Sequence, residues 1–164
     1  MRGLLLTLAL CAAVLGASGC GFHLQGQEAL PPEMATTRLE VQNPYSPFAR
    51  RMRILLEQNR VRVVEGAEAT AVLDIPVNDV RTEVLTIGDN ARVREYRVRH
   101  VVEFRLLTAD GRELVPMQRL EQARTISFDE QNILASTREQ EFLRSDLADI
   151  LSRQVLRRLG EPGA

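Results

Sequence analysis

The segment from Tyr96 to Leu106 constrains the fold more than any other part of the chain. Tyr96, Val98, His100, Val102, Phe104 and Leu106 alternate with Arg97, Arg99, Val101, Glu103 and Arg105. Successive side chains of a strand leave opposite faces, so this period of two describes a strand with one packed face and one largely charged face. Such a strand belongs to an antiparallel sheet covered on one side only. Turn residues bracket it, Gly88, Asp89 and Asn90 before and Ala109, Asp110 and Gly111 after, which makes its chain neighbours further strands. One runs from Thr70, with Ala71, Leu73, Ile75 and Val77 on one face; Val80, Thr82 and Val84 then take even positions. That slip of phase close to Pro76 predicts a bulge or an edge position. The other, Glu113 to Ser127, is less regular and carries Arg119 and Arg124.

The covered face needs helices, and two are legible. Ser46 followed by Pro47 is an N-cap with proline at the first helical position, and Phe48, Met52, Leu55 and Leu56 repeat at helical spacing up to Asn59. Arg50, Arg51, Arg53 and Arg60 lie mainly off that stripe and read as a solvated face. Near the C-terminus, Ser136 or Thr137 with Glu139 or Gln140 three residues on forms a capping box. Leu143, Leu147, Ile150, Leu151, Val155 and Leu159 make the stripe, and Gly160 with Pro162 stops it. Two short β runs flank the first helix, Thr36 to Gln42 and Val61 to Val64, and permit a parallel pairing through a right-handed crossover. The expected fold is α+β: a two-layer sandwich with two helices on one face of a mixed, mostly antiparallel sheet of about four or five strands.

Ahead of the domain lies a different kind of sequence. Arg2 precedes an apolar run, Leu4 to Leu15, too short to span a bilayer permanently, followed by Ala17, Ser18 and Gly19. Cys20 stands directly after the small residues, the arrangement of a bacterial lipoprotein signal in which the cysteine is acylated and becomes the first residue. Ala17 is a weaker choice than Leu three places before the cysteine. Cys11 lacks the arrangement, because bulky Leu10 precedes it. Gly21 follows Cys20 where an aspartate would retain the protein in the inner membrane, so outer-membrane sorting is expected. The chain then divides into a signal peptide (1–19), a lipidated N-terminus and tether (20–37), one domain (38–160) and a short tail (161–164). Within the tether, Gln25 to Thr37, with Pro31 and Pro32, reads as an irregular arm.

Composition excludes more chemistry than it suggests. The net charge is −1, so no global field announces nucleic acid or an anionic surface. With Cys11 removed and Cys20 acylated, no thiol is left for a disulfide, a redox couple or a metal cluster. His100 sits on the apolar face of its strand, the place of a hydrogen-bonded core histidine, and His23 lies three residues from the anchor. No Gly-rich phosphate loop and no paired acid–base arrangement is readable, which argues against an enzyme, a metal site or any cofactor beyond the lipid on Cys20. All 21 basic residues are arginine, whose guanidinium forks bind phosphate and carboxylate bidentately.

The opening of the mature chain, GCGFHLQG, resembles that of the LPS-assembly lipoprotein family, LptE. The similarity continues through the strand, helix and strand, the turn into Arg94-Glu95-Tyr96, and the closing amphipathic helix, so it covers essentially the whole chain. The resemblance implies an outer-membrane lipoprotein whose domain plugs the lumen of the β-barrel LptD, one to one, assists its assembly and binds lipopolysaccharide on its way to the cell surface. A plug needs a hydrophilic exterior because barrel lumens are polar, and a reader of phosphorylated lipid A needs cationic donors. The candidate donors are Arg92, Arg94, Arg97, Arg99, Arg124 and Arg138, with Arg97, Arg99 and Arg105 sharing one face of their strand. Family members often carry a basic residue at the place corresponding to Ser136, read here as the loop before the last helix; Arg138 is close enough to substitute. Two other classes stay open: a structural lipoprotein that plugs or chaperones a barrel without touching lipid, and a periplasmic lipid-modifying enzyme.

Overall fold

The computed structural model describes residues 29–87, 93–127 and 133–161. A 3-10 turn, Pro32–Ala35, leads into β1 (Thr36–Val41), α1 (Pro47–Gln58), β2 (Arg62–Val64), β3 (Ala71–Ile87), β4 (Val93–Thr108), β5 (Glu113–Ser127) and α2 (Ile133–Gly160). The strands form one five-stranded sheet in the order β2-β1-β3-β4-β5. β1 pairs in parallel with both β2 and β3, whereas β3–β4 and β4–β5 are antiparallel. This is the expected α+β sandwich: both helices cover the face that carries Leu73, Val102, Phe104 and Leu106, all fully buried.

Local chemistry sets the element ends. Ser46 Oγ accepts from the Ala49 amide at 3.1 Å, and Pro47 occupies a position whose amide would have no helical partner. At the other end of α1 the Arg60 amide donates to Glu57 O and the Val61 amide to Leu56 O, both at 3.0 Å, with Arg60 at φ +65. That is a Schellman closure, with Leu56 and Val61 both buried in the core, and it places an arginine where glycine is usual. Because a side chain in the left-handed region costs about 1 kcal/mol, Arg60→Gly is expected to raise unfolding stability by about 0.5–1 kcal/mol. A urea midpoint unchanged or lowered would contradict this. In the β4–β5 turn, Gly111 sits at φ +88 and donates to Thr108 O, so here the backbone does call for glycine.

Four readings change. Residues 32–37, expected at the end of an irregular arm, are the 3-10 turn and the start of β1: Met34 is fully buried, and Thr37 Oγ1 donates to its carbonyl at 2.7 Å. The slip in β3 falls between Asp74 and Val77, so Val77 pairs with Glu103 on the outer face and Asn78 turns inward opposite Val102. Pro76 cannot donate to the ladder, which is why the register breaks there. Arg51 is not a solvated charge, since it joins the two helices by an ion pair with Asp149. The last helix begins at Ile133, so Ser136 and Thr137 lie inside it and Ser136 is buried. Nothing in Ile133 to Ala135 breaks a helix, and the backbone winds past the polar cluster that imitated a cap.

Candidate functional site

The outer face of β3, β4 and β5 is a ladder of charges that answer one another. Arg99 binds Glu121 in a fork, Nε to Oε1 at 2.6 Å and Nη2 to Oε2 at 2.9 Å, and reaches Glu83 at 3.9 Å. Arg119 bridges Glu103 at 2.8 Å and Glu121 at 3.3 Å, Arg105 binds Asp74 at 2.8 Å, and Arg81 binds Asp79 at 2.6 Å. The Arg99 hydrogen bond holds the Glu121 carboxyl below the usual range, and the same bond raises the Arg99 guanidinium further. Both groups therefore carry full charge at neutral pH, and their mutual satisfaction leaves Arg99 little to offer an external phosphate. Val101, in the middle of this face, is only 6% exposed, as expected where arginine stems lie along the sheet with their heads in water.

The candidate arginines separate on this frame. Arg97 is exposed, stands between Glu83 and Thr125 in the register, and has no ion pair among the described residues. Arg124 is opposite Val98 and so faces the helix side of the sheet, away from Arg97 and Arg99. Arg138 is exposed in the first part of α2; like Arg124, it has no carboxylate partner among the described residues. Arg94 belongs to the backbone of β4 close to the hairpin end, its side chain outside the described residues, as are Arg92 and Cys20. Arg97, Arg124 and Arg138 thus lie toward one end of the sheet, where β3 meets β4 and β5 leads to α2, but on both of its sides.

A feature the sequence did not disclose lies on the helix face. Ser46 Oγ donates to Asn43 O at 2.8 Å and accepts from the Ala49 amide, so its remaining lone pair accepts Asn78 Nδ2 at 2.9 Å. That fixes the Asn78 amide, whose Oδ1 then accepts from His100 Nε2 at 2.8 Å. His100 is therefore the Nε2–H tautomer, packed edge-on against Phe48 with ring centroids 5.8 Å apart; its Nδ1 has no partner among the described residues. Burial lowers its pKa to about 4, outweighing an upward pull from Asp79. His100 is thus the hydrogen-bonded core histidine its position implied. Asn78 could have been suspected as a polar residue next to the phase slip, but its partners lie 22 and 32 residues away. A cleft of about 450 Å³ opens beside this network, lined by Tyr45, Phe48, Val80 and Arg144 among others. None of the arginines expected to meet ligand lines it, and its own cation, Arg144, donates to Thr82 Oγ1 at 3.2 Å.

Among the described residues no cluster of His, Cys, Asp or Glu could hold a metal ion, and no helix is long and apolar enough to cross a membrane. The geometry is that of a binding or packing module: a rigid sheet, a self-compensated charged face and a few uncommitted cations near one end.

The comparisons agree with this geometry. Residues 34–159 match the LptE family model, described as lipopolysaccharide-assembly, which spans the whole folded core. The chain is 32% identical over 161 residues to the LPS-assembly lipoprotein LptE of Yersinia pestis, covering 97% of this chain and 77% of that one. It is 28% identical to the LptE of Pectobacterium atrosepticum, covering 97% and 86%. The solution NMR structure of lipoprotein B from Nitrosomonas europaea superposes with a TM-score of 0.69 at 27% identity, covering 85% of this chain and 90% of that one. The strand–helix–strand start, the three long strands and the closing helix are therefore a family architecture, and the chain belongs to the LptE family of non-enzymatic lipopolysaccharide-assembly lipoproteins.

Proposed function

We propose that this chain is anchored to the periplasmic side of the outer membrane by lipid on Cys20, that its domain occupies the lumen of the LptD β-barrel one to one and assists the barrel's assembly, and that it binds lipopolysaccharide in transit. The observation that carries this reading is the family match over residues 34–159, the whole packed core rather than a motif. The charged face supports it physically. A barrel lumen is polar, and a ladder in which Arg81, Arg99, Arg105 and Arg119 each already have a carboxylate meets such a wall with those charges answered. Two acyl chains or more anchor such a domain where one would not, at about 0.8 kcal/mol per buried CH₂.

Phosphate recognition falls to the arginines with nothing else to bind, Arg97 and Arg138, together with Arg92 and Arg94 at the hairpin. Arg97→Glu with Arg138→Glu is expected to lower lipopolysaccharide retention about tenfold in a pull-down with labelled lipopolysaccharide, since one lost bidentate phosphate contact suffices for that. Reversal at Arg92 and Arg94 should act in the same direction without unfolding the domain. Unchanged retention would remove these residues from the site. Affinity purification from native outer membrane tests the larger reading: a barrel in stoichiometric amount supports it, and its absence defeats it. A barrel retained with no lipopolysaccharide affinity at all would select a plug or chaperone that never touches lipid, a reading favoured by the loss of Arg99 and Arg105 to internal ion pairs. Fatty-acid label that persists after Cys20→Ser would sink the anchor.

A further inference from the structure

The two edges of the sheet are unlike. On one side β2 has three residues, too few to template another strand. On the other, β5 runs for fifteen residues, and from Gln118 to Ser127 its pairing with β4 is continuous and free of bulges. Among the described residues no backbone hydrogen bond joins that run to any segment but β4. Half of its amides and carbonyls therefore point outward unpaired, the arrangement native sheets usually blunt with short strands, proline, bulges or charge. β5 uses proline and irregular register only at its beginning, around Pro116. The two charges that could guard the rest, Arg119 and Glu121, are drawn back across the sheet to Glu103 and Arg99. One cation on the run stays uncommitted, Arg124, exposed on the helix side.

We propose that the β5 edge from Gln118 to Ser127 is a strand-addition site, and that it takes up an extended segment of the barrel polypeptide with an acidic side chain across from Arg124. Main-chain hydrogen bonds supply the affinity of such an addition and the side chains its register. A closed barrel wall has no free edge of its own, so the added strand comes from a loop or from a segment outside the wall. The acid is required because Arg124 would otherwise be covered by the new strand without a counter-charge. This inference rests on the barrel reading given above. It assigns Arg124 to the partner protein, leaving Arg97 and Arg138 to lipid phosphate.

The test compares amide hydrogen exchange in the full-length lipoprotein, alone in detergent and in complex with the barrel that co-purifies with it from native outer membrane. Amides within 118–127 are expected to slow at least about tenfold in the complex, because the outward ones gain partners. Proline scanning locates the edge independently: of Gln122→Pro and Ala123→Pro, one removes an amide bonded to β4 and lowers the melting temperature, whereas the other removes an outward amide and leaves it nearly unchanged. The thermally neutral variant should lose barrel retention about tenfold, and so should Arg124→Glu, with lipopolysaccharide retention unaffected in both. A stoichiometric complex in which 118–127 exchanges as fast as in the free protein overturns strand addition while leaving the barrel reading intact. Protection of the same amides in a dimer of the free lipoprotein would overturn it too, by giving the edge to a second copy. If no barrel co-purifies, both readings fall together.

Discussion

Phe104→Ala is expected to cost about 3–5 kcal/mol of unfolding free energy, enough to remove much of the stability of a domain this size. Phe104 has no accessible surface and belongs to the cluster that joins β3, β4, β5 and both helices. Its neighbours in that cluster, Phe48, Met52, Leu73, Leu106 and Leu151, are each fully buried, and they come from four different elements. A cavity opened there cannot close by one side chain moving, because elements held by ladder hydrogen bonds and helix packing would have to shift together. The loss corresponds to a fall in melting temperature of roughly 10–20 °C. Phe142→Ala is the natural comparison, as Phe142 is 68% exposed on α2, and its removal should change stability by no more than about 0.5 kcal/mol. Equal effects of the two substitutions would mean that the packed layer is not where it has been placed.

The second large effect is a pH dependence carried by His100. In the folded protein its pKa is lowered to about 4, because burial excludes the charged form, whereas an unfolded chain protonates it near 6.5. The sign follows from proton counting. As pH falls below 6.5 the unfolded state takes up a proton that the native state refuses until about 4, so stability falls through that window and the loss levels off below it. The full loss is about 3 kcal/mol, an upper figure from the size of the shift. Denaturant unfolding of the wild type should therefore weaken between pH 7 and pH 4 by that much more than unfolding of His100→Gln, which keeps a donor for Asn78 but has no titrating ring. Parallel pH profiles for the two proteins would refute the assignment, as would the His100 imidazole, identified by its loss in His100→Gln, titrating in the native state near pH 6.5 by NMR. Protonation of the native ring, at about pH 4 and below, would also place a positive charge beside the Ser46–Asn78 chain that caps α1, so the contact between that helix and β3 should loosen only at that acid end.

These two residues also show how far local sequence reaches. Phe104 and His100 were placed on the packed face by alternation alone, and Ser46 with Pro47 marked the start of α1 without reference to anything distant. The expected roles of the arginines depended on more. Alternation put Arg97, Arg99 and Arg105 on one face, but it could not say that Arg99 and Arg105 would be held by Glu121 and Asp74 while Arg97 stayed uncommitted. It gave Arg124 no side at all, because the irregular start of β5 leaves its phase undefined until it is registered against β4.

By itself, then, the sequence determined the fold class and the packed faces of the long strand and the two helices, since periodicity and turn residues are each written within a few consecutive residues. Only the tertiary structure decided that Val77 turns outward past Pro76, that the last helix begins at Ile133, that Asn78 links His100 to the α1 cap, and that β5 is a long open edge. Strand order and register bring together residues tens of positions apart, and a shift of one residue would exchange every partner and every face. Which cations remain available for a ligand is therefore settled between strands rather than along any one of them.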